Sequence, residues 1–231
     1  CIPTKTLLYS AKIYDSARHA SKYAVNVPEA SFDLPKIIAR KSKVVRKLVL
    51  GVKSKLTSNG VEIVTGEAHI IDNHTVQCGD STYEYDNLLI CTGSETFIPP
   101  VAGINDVPYW THRDALDSKE LPASIAIVGG GVIGMEFASF YNSLGIQVTV
   151  IEMLDEILCG MDKELAGMLR AEYSKRGINF LTGSKVVSMK SDNDSAIIYY
   201  ENADGAGEVN AGKVMISVGR RPVANGFGLE N

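Results

Sequence analysis

Gly129, Gly131 and Gly134 stand in the order G-x-G-x-x-G, and Glu152 follows Gly134 by 18 residues. These residue types at this spacing suit the binding of a dinucleotide. The first glycine permits a tight turn out of a strand, the second leaves room for a pyrophosphate at the backbone, and the third lets a helix pack closely on the strand. A helix opening at Val132, Ile133 and Gly134, just after Gly130, offers unpaired N–H groups and partial positive charge to phosphate oxygens. A carboxylate at Glu152 suits the hydroxyls of an adenosine ribose. The acidic stretch Glu152-Met153-Leu154-Asp155-Glu156 holds no cation for a 2′-phosphate, so the expected cofactor is NAD rather than NADP. Glu136 lies one turn beyond the phosphate site, which favours a functional role over a plain helix-surface carboxylate.

The elements that must carry these residues are legible around them. Residues 125–128 form an apolar, β-branched run suited to a buried parallel strand. Ile133, Phe137, Phe140, Tyr141 and Leu144 then recur at helical steps, Gly145 suits the helix stop, and residues 148–151 form a second β-branched run ending on Glu152. Upstream, Pro3 suits a first helical turn, and Leu7, Leu8, Ala11, Ile13 and Ala17 make an apolar stripe. Cys1 is thus expected at a helix N-terminus, where a thiolate is stabilised. Position alone assigns it no chemistry, because an isolated cysteine is more often a small core residue. A second helix, capped by Ser31 or Asp33, is expected to run to about Ser58. Short strands are expected at 61–65, 69–71 and 75–78, with a buried strand at 88–91. Beyond the central unit, a helix is expected over 162–176, a strand over 178–181, an antiparallel meander over 186–210 and a last buried strand over 213–218.

The bulk properties narrow the function classes. The chain has 231 residues, 45% of them hydrophobic, enough for one large or two modest cores. Its formal net charge of −4 gives no footing for nucleic-acid or membrane-surface binding. No apolar stretch is long enough to span a bilayer. The four cysteines, Cys1, Cys78, Cys91 and Cys159, are scattered without metal-ligand spacing, so no metal site and a reducing, cytoplasmic setting are expected. A chain that opens on Cys1 rather than Met reads as a piece of a longer protein or a processed product.

The opening Cys1-Ile2-Pro3-Thr4-Lys5, taken with the glycine motif, resembles the pyridine nucleotide–disulfide oxidoreductases, and most closely their dihydrolipoamide dehydrogenase branch. The resemblance implies that Cys1 is the flavin-side cysteine of a Cys-x4-Cys redox pair whose first member lies outside this sequence. It further implies that Lys5 approaches the flavin ring and that Glu136, beside the nicotinamide, pairs with Lys5. Gly66-Glu67-Ala68 falls at the family's G-x-A motif beside the flavin adenine, and Thr92-Gly93-Ser94 at its A-T-G-[AS] motif. Val218-Gly219-Arg220-Arg221-Pro222 resembles its V-G-R-x-P-N motif, with Val223 in place of Asn, and Val186 joins the implied cofactor-binding set.

The fold expected from both lines is α/β: a Rossmann-like NAD-binding domain with parallel sheet and β-meander over 118–231, and a partial FAD-binding domain over 1–117. The implied function is that of part of a flavin-dependent enzyme passing electrons between a dithiol/disulfide, FAD and NAD. A lipoyl-type disulfide substrate, a homodimeric parent and service to a 2-oxo acid dehydrogenase complex follow from the resemblance. With the family's partner cysteine and catalytic histidine unmatched, the chain alone is expected to be no competent disulfide reductase. The rivals are a mercuric-reductase-like or other disulfide reductase of the same family, and a stand-alone NAD-binding module without redox chemistry.

Overall fold

Hydrophobic periodicity sets the elements, which a computed structural model describes for all residues 1–231. In chain order the helices are α1 (Ile2–Arg18), α2 (Leu34–Ser58), α3 (His112–Asp117), α4 (Val132–Ser143) and α5 (Lys163–Lys175). The strands are β1 (Ala68–Asp72), β2 (Thr75–Cys78), β3 (Ser81–Glu84), β4 (Ser94–Thr96), β5 (Ser124–Val128), β6 (Gln147–Ile151), β7 (Asn179–Leu181), β8 (Lys185–Asp192), β9 (Ser195–Asn202), β10 (Gly205–Ala211), β11 (Lys213–Ile216) and β12 (Arg220–Pro222). No helix is long and apolar enough to cross a membrane.

The chain divides into two compact units. The first comprises Cys1–Val45 and Thr96–Gly219. Its main sheet is parallel, in the order β11-β5-β6-β7. Two parallel neighbours are joined through α4 and two through α5, as parallel pairing requires. Side chains alternate across a strand, so β5 feeds both faces of the sheet. Ile125 and Ile127 meet Phe137, Ala138 and Tyr141 of α4, with Leu7 of α1 and Ile38 of α2 in the same core. Ala126 and Val128 meet Met189 and Ile198 of the antiparallel meander β10-β9-β8. This double covering explains why β5 reads as an unbroken apolar run.

Polar contacts then fix the helix ends. Asp162 caps α5, accepting from the N–H groups of Glu164 at 2.9 Å and Leu165 at 3.1 Å. Asp33 accepts from the Lys36 N–H at 2.9 Å at the start of α2. Lys41, only 5% exposed, reaches from α2 to the C-terminal end of α3, donating to the Leu116 carbonyl at 3.0 Å and pairing with Asp117. A cation there satisfies a terminal carbonyl and complements the helix dipole.

The second unit comprises Arg46–Glu95 and Arg220–Asn231. It carries the antiparallel sheet β1-β2-β3 and the ribbon of β12 with β4. Two expectations are corrected here. Residues 61–65 and 88–91 form no strand, and Val61, Ile63, Leu88, Leu89 and Ile90 are exposed, Leu89 by 85%. Cys91, at the end of the second segment, is exposed as well. Their composition suits a buried sheet, but a strand needs a hydrogen-bonded neighbour, and no strand of this chain pairs with either segment.

Candidate functional site

The glycine turn between β5 and α4 is the centre of the site. The Gly129 N–H donates to the Ile151 carbonyl at 2.8 Å, tying the turn to the end of β6. Gly129 has φ +107°, and a Cβ there would run into the Ser217 carbonyl and lie 2.9 Å from the Val218 nitrogen. Val218 and Gly219, which follow β11, are thereby brought beside the turn. A Cβ on Gly134 would run into the Gly129 carbonyl and lie 3.3 Å from Ile127 Cγ2, so the helix passes close over the strand. Gly131 differs from both: nothing lies within 4 Å of where its Cβ would be. It is the N-cap of α4 and provides no side-chain cap. The first bond of the helix runs from the Met135 N–H to the Gly131 carbonyl at 2.9 Å. The N–H groups of Val132, Ile133 and Gly134 therefore precede the helical ladder and lack an intrahelical acceptor. Val132 is half exposed, whereas Ile133 leans on the core.

Glu152, just past β6, closes the turn from the other side. Its carboxylate accepts from the Gly130 N–H at 2.6 Å and from the Leu154 N–H at 2.8 Å. Each oxygen keeps lone-pair capacity for a further donor such as a ribose hydroxyl. Gly130 thus spends its N–H on Glu152, leaving the first turn of α4 as the source of phosphate donors.

Cys1 is the N-cap of α1, exposed and unpaired with any other cysteine. The Lys5 N–H donates to the Cys1 carbonyl at 3.0 Å. The Lys5 ammonium forms an ion pair with Glu136 in the first half of α4. Lys5 thus connects the first turn of α1, which Cys1 caps, to a carboxylate near the head of α4. Lys5 is 63% exposed in its side chain, so solvent screens the pair and its value is in placement more than stability.

The remaining predicted residues are distributed. Val186 lies in β8 opposite Tyr200. Gly66, Ala68, Thr92, Gly93 and Arg220 belong to the second unit. There the Thr92 hydroxyl donates to the Val223 carbonyl at 2.6 Å, and the Val223 N–H to the Gly93 carbonyl at 3.1 Å. Arg220 donates to the Ser94 hydroxyl at 2.8 Å, and a Cβ on Gly66 would lie 2.5 Å from Cys78 Sγ. Ile157, Leu158 and Arg170, tied to the glycine turn, escape the sequence reading, and Glu156 is read there only as part of an acidic stretch. The Leu158 N–H donates to the Gly130 carbonyl at 2.9 Å, and Ile157 Cγ2 lies 3.0 Å from where a Gly130 Cβ would be. No spacing rule links Arg170 of α5 to this turn.

The arrangement fits a nicotinamide dinucleotide: open space at Gly131, donors at the head of α4 and an acceptor at Glu152. A flavin fits less well, because Thr92 and Gly93 lie in an exposed segment closed onto Val223.

A parallel sheet with a glycine turn running into an uncapped helix defines a Rossmann-type α/β protein. Comparison with known proteins narrows the class. The family model described as pyridine nucleotide-disulphide oxidoreductase matches residues 1–231. The dihydrolipoyl dehydrogenase of Acholeplasma laidlawii is 38% identical, over 100% of this chain and 68% of its own length. That of Geobacillus stearothermophilus is 34% identical over 100% of this chain and 50% of its own. Among solved structures, LpdA from Mycobacterium tuberculosis superposes with a TM-score of 0.86 at 26% identity, over 100% of this chain and 51% of that one. The HOCl-induced flavoprotein disulfide reductase RclA from Escherichia coli gives 0.82 at 26% identity, over 100% and 49%. The chain belongs to the pyridine nucleotide-disulphide oxidoreductase family. It spans about half the length of most of the relatives it matches.

Proposed function

We propose that this chain contributes the NAD-binding domain, residues 118–231, and part of the FAD-binding domain, residues 1–117, to a disulfide oxidoreductase of the dihydrolipoyl dehydrogenase type. The overall conversion is dithiol plus NAD+ to disulfide plus NADH and a proton. The observation that carries this reading is the open face at Gly131, set between the uncapped head of α4 and the Glu152 carboxylate. When bound, the nicotinamide would supply the hydride chemistry.

The residues of the chain bind and orient. The N–H groups of Val132 and Ile133 hold pyrophosphate oxygens, and Glu152 accepts from the adenosine ribose. Val186, Val218 and Gly219 border the nucleotide, and Gly66, Ala68, Thr92, Gly93 and Arg220 contribute to the FAD side. Lys5, paired with Glu136, places a cation one turn from Cys1. The N-terminus of α1 stabilises negative charge on the Cys1 sulfur. Cys1 is the flavin-side thiolate released when a substrate dithiol, attacking as thiolate, reduces the enzyme disulfide of which Cys1 is one member and leaves as the substrate disulfide. The names of the relatives support a lipoyl-type disulfide substrate. A homodimeric parent, service to a 2-oxo acid dehydrogenase complex and a cytoplasmic setting belong to the same reading.

Titration of the chain with NADH, followed by nucleotide fluorescence, tests the binding claim. Saturable one-site binding that Gly131→Val abolishes is expected. Absence of saturable binding in the wild type, or binding unaffected by Gly131→Val, refutes it.

A further inference from the structure

The connection from Glu152 to α5 has no regular secondary structure through residue 161, yet it forms one wall of the glycine turn. Irregular connections are ordinarily the mobile parts of a fold. Here the wall is held at three points. Ile157 is 1% exposed and packs at Gly130. Leu158 donates to the Gly130 carbonyl at 2.9 Å and does so from φ +55°, a left-handed conformation that a leucine keeps only when its surroundings hold it. Immediately before them, Glu156 makes a bidentate pair with Arg170, at 2.8 Å to Nε and 2.9 Å to Nη2, and accepts its neighbour's Ile157 N–H at 2.9 Å.

We infer that Arg170 is a positioning residue for the dinucleotide turn, acting through Glu156 and Leu158 on Gly130. The inference rests on the proposed NAD site. The guanidinium fixes both carboxylate oxygens of Glu156 in one plane, which a flexible ammonium does not do. That carboxylate orients the Ile157 peptide, and the next peptide donates to Gly130. The Gly130 peptide is then gripped at both ends, its N–H by Glu152 and its carbonyl by Leu158. The residue gripped lies directly before Gly131, where the pyrophosphate must approach. Arg170 touches neither the glycine turn nor the space at Gly131, so its removal leaves every direct ligand group in place and frees only the wall.

The test uses the full chain and NADH as the probe. Arg170→Met is expected to weaken NADH binding about fivefold to tenfold, within the range of couplings carried by contact networks. Glu156→Gln should lose a similar factor, and the double variant little more than either alone. Arg170→Lys should fall between wild type and Arg170→Met. Amide hydrogen exchange separates positioning from general loosening: Leu158 should exchange faster in Arg170→Met, while Gly129, held by β6, stays protected. The meander substitution Ile198→Val should leave NADH affinity unchanged. Wild-type affinity and unchanged Leu158 exchange in both Arg170→Met and Glu156→Gln overturn the inference, as does an equal loss of affinity in Ile198→Val. Should Arg170→Met fail to fold, Glu156→Gln, which preserves volume, decides alone. A wild-type chain that binds no NADH overturns the proposed site itself, a result distinct from wild-type binding that the variants do not alter.

Discussion

Single side chains in this protein are decided by whether their polar atoms find partners. Tyr141 is 1% exposed, stacked on Phe137, edge-to-face with Phe140 and tilted against Trp110, and its hydroxyl has no hydrogen-bond partner. Burial pushes its phenol pKa above the ordinary value. An unpaired buried hydroxyl costs about 1–3 kcal/mol. Tyr141→Phe keeps the ring and removes the orphan, so urea unfolding should show a gain of about 1 kcal/mol; a loss would mean that the hydroxyl is satisfied. Glu156 is the opposite case. The Arg170 side chain, chiefly, and then the Ile157 N–H hold its carboxyl below the ordinary 4.5. A carboxyl depressed in the folded state stabilises above its unfolded pKa and loses that contribution as pH falls through the folded value. The urea midpoints of wild type and Arg170→Met should therefore differ at pH 7 and converge below pH 4.5. A gap that persists at low pH would show that Arg170 stabilises by packing rather than by charge.

Elements show how different glycines act within one motif. At Gly134 a Cβ meets the Gly129 carbonyl, so α4 must lift from β5, and Gly134→Ala should cost about 1–3 kcal/mol, the range of core overpacking. At Gly131 a Cβ meets nothing, so Gly131→Ala should leave the urea midpoint within about 0.5 kcal/mol, as at unconstrained surface sites. The same Gly131→Ala protein should bind NADH more weakly, because the methyl group occupies the approach to the backbone. Equal destabilisation by the two alanines would contradict these separate roles. Much of this was legible in the sequence: a β-branched run, a glycine triplet and a helical stripe agree on β5, α4 and β6, and each was supported by a local rule. Residues 88–91 were not, because a strand exists only with a neighbour, and composition does not say whether the neighbour is present. Arg170 was illegible for a related reason, since its contact with Glu156 depends on how α5 packs rather than on spacing.

At the scale of the whole molecule, the chain combines a fully cored Rossmann-type unit with a second unit whose apolar segments lie open, and its chemistry gathers on the first. Two features converge there: the thiol of Cys1 with its Lys5–Glu136 pair, and the nucleotide turn closed by Glu152. The nucleotide turn is the half that this chain can demonstrate by binding alone. Glu152 already accepts from two backbone N–H groups, and the Arg170 guanidinium is taken up by Glu156, so a 2′-phosphate at the ribose would face the Glu152 carboxylate. Like-charge juxtaposition of this kind costs several kcal/mol, which corresponds to at least ~100-fold in affinity. Calorimetric titration of the wild-type chain and Glu152→Arg with NADH and NADPH is the most direct test. The account predicts that the wild type binds NADH at least ~100-fold more tightly and that Glu152→Arg narrows or inverts the gap. Equal affinity of the wild-type chain for the two nucleotides would contradict it.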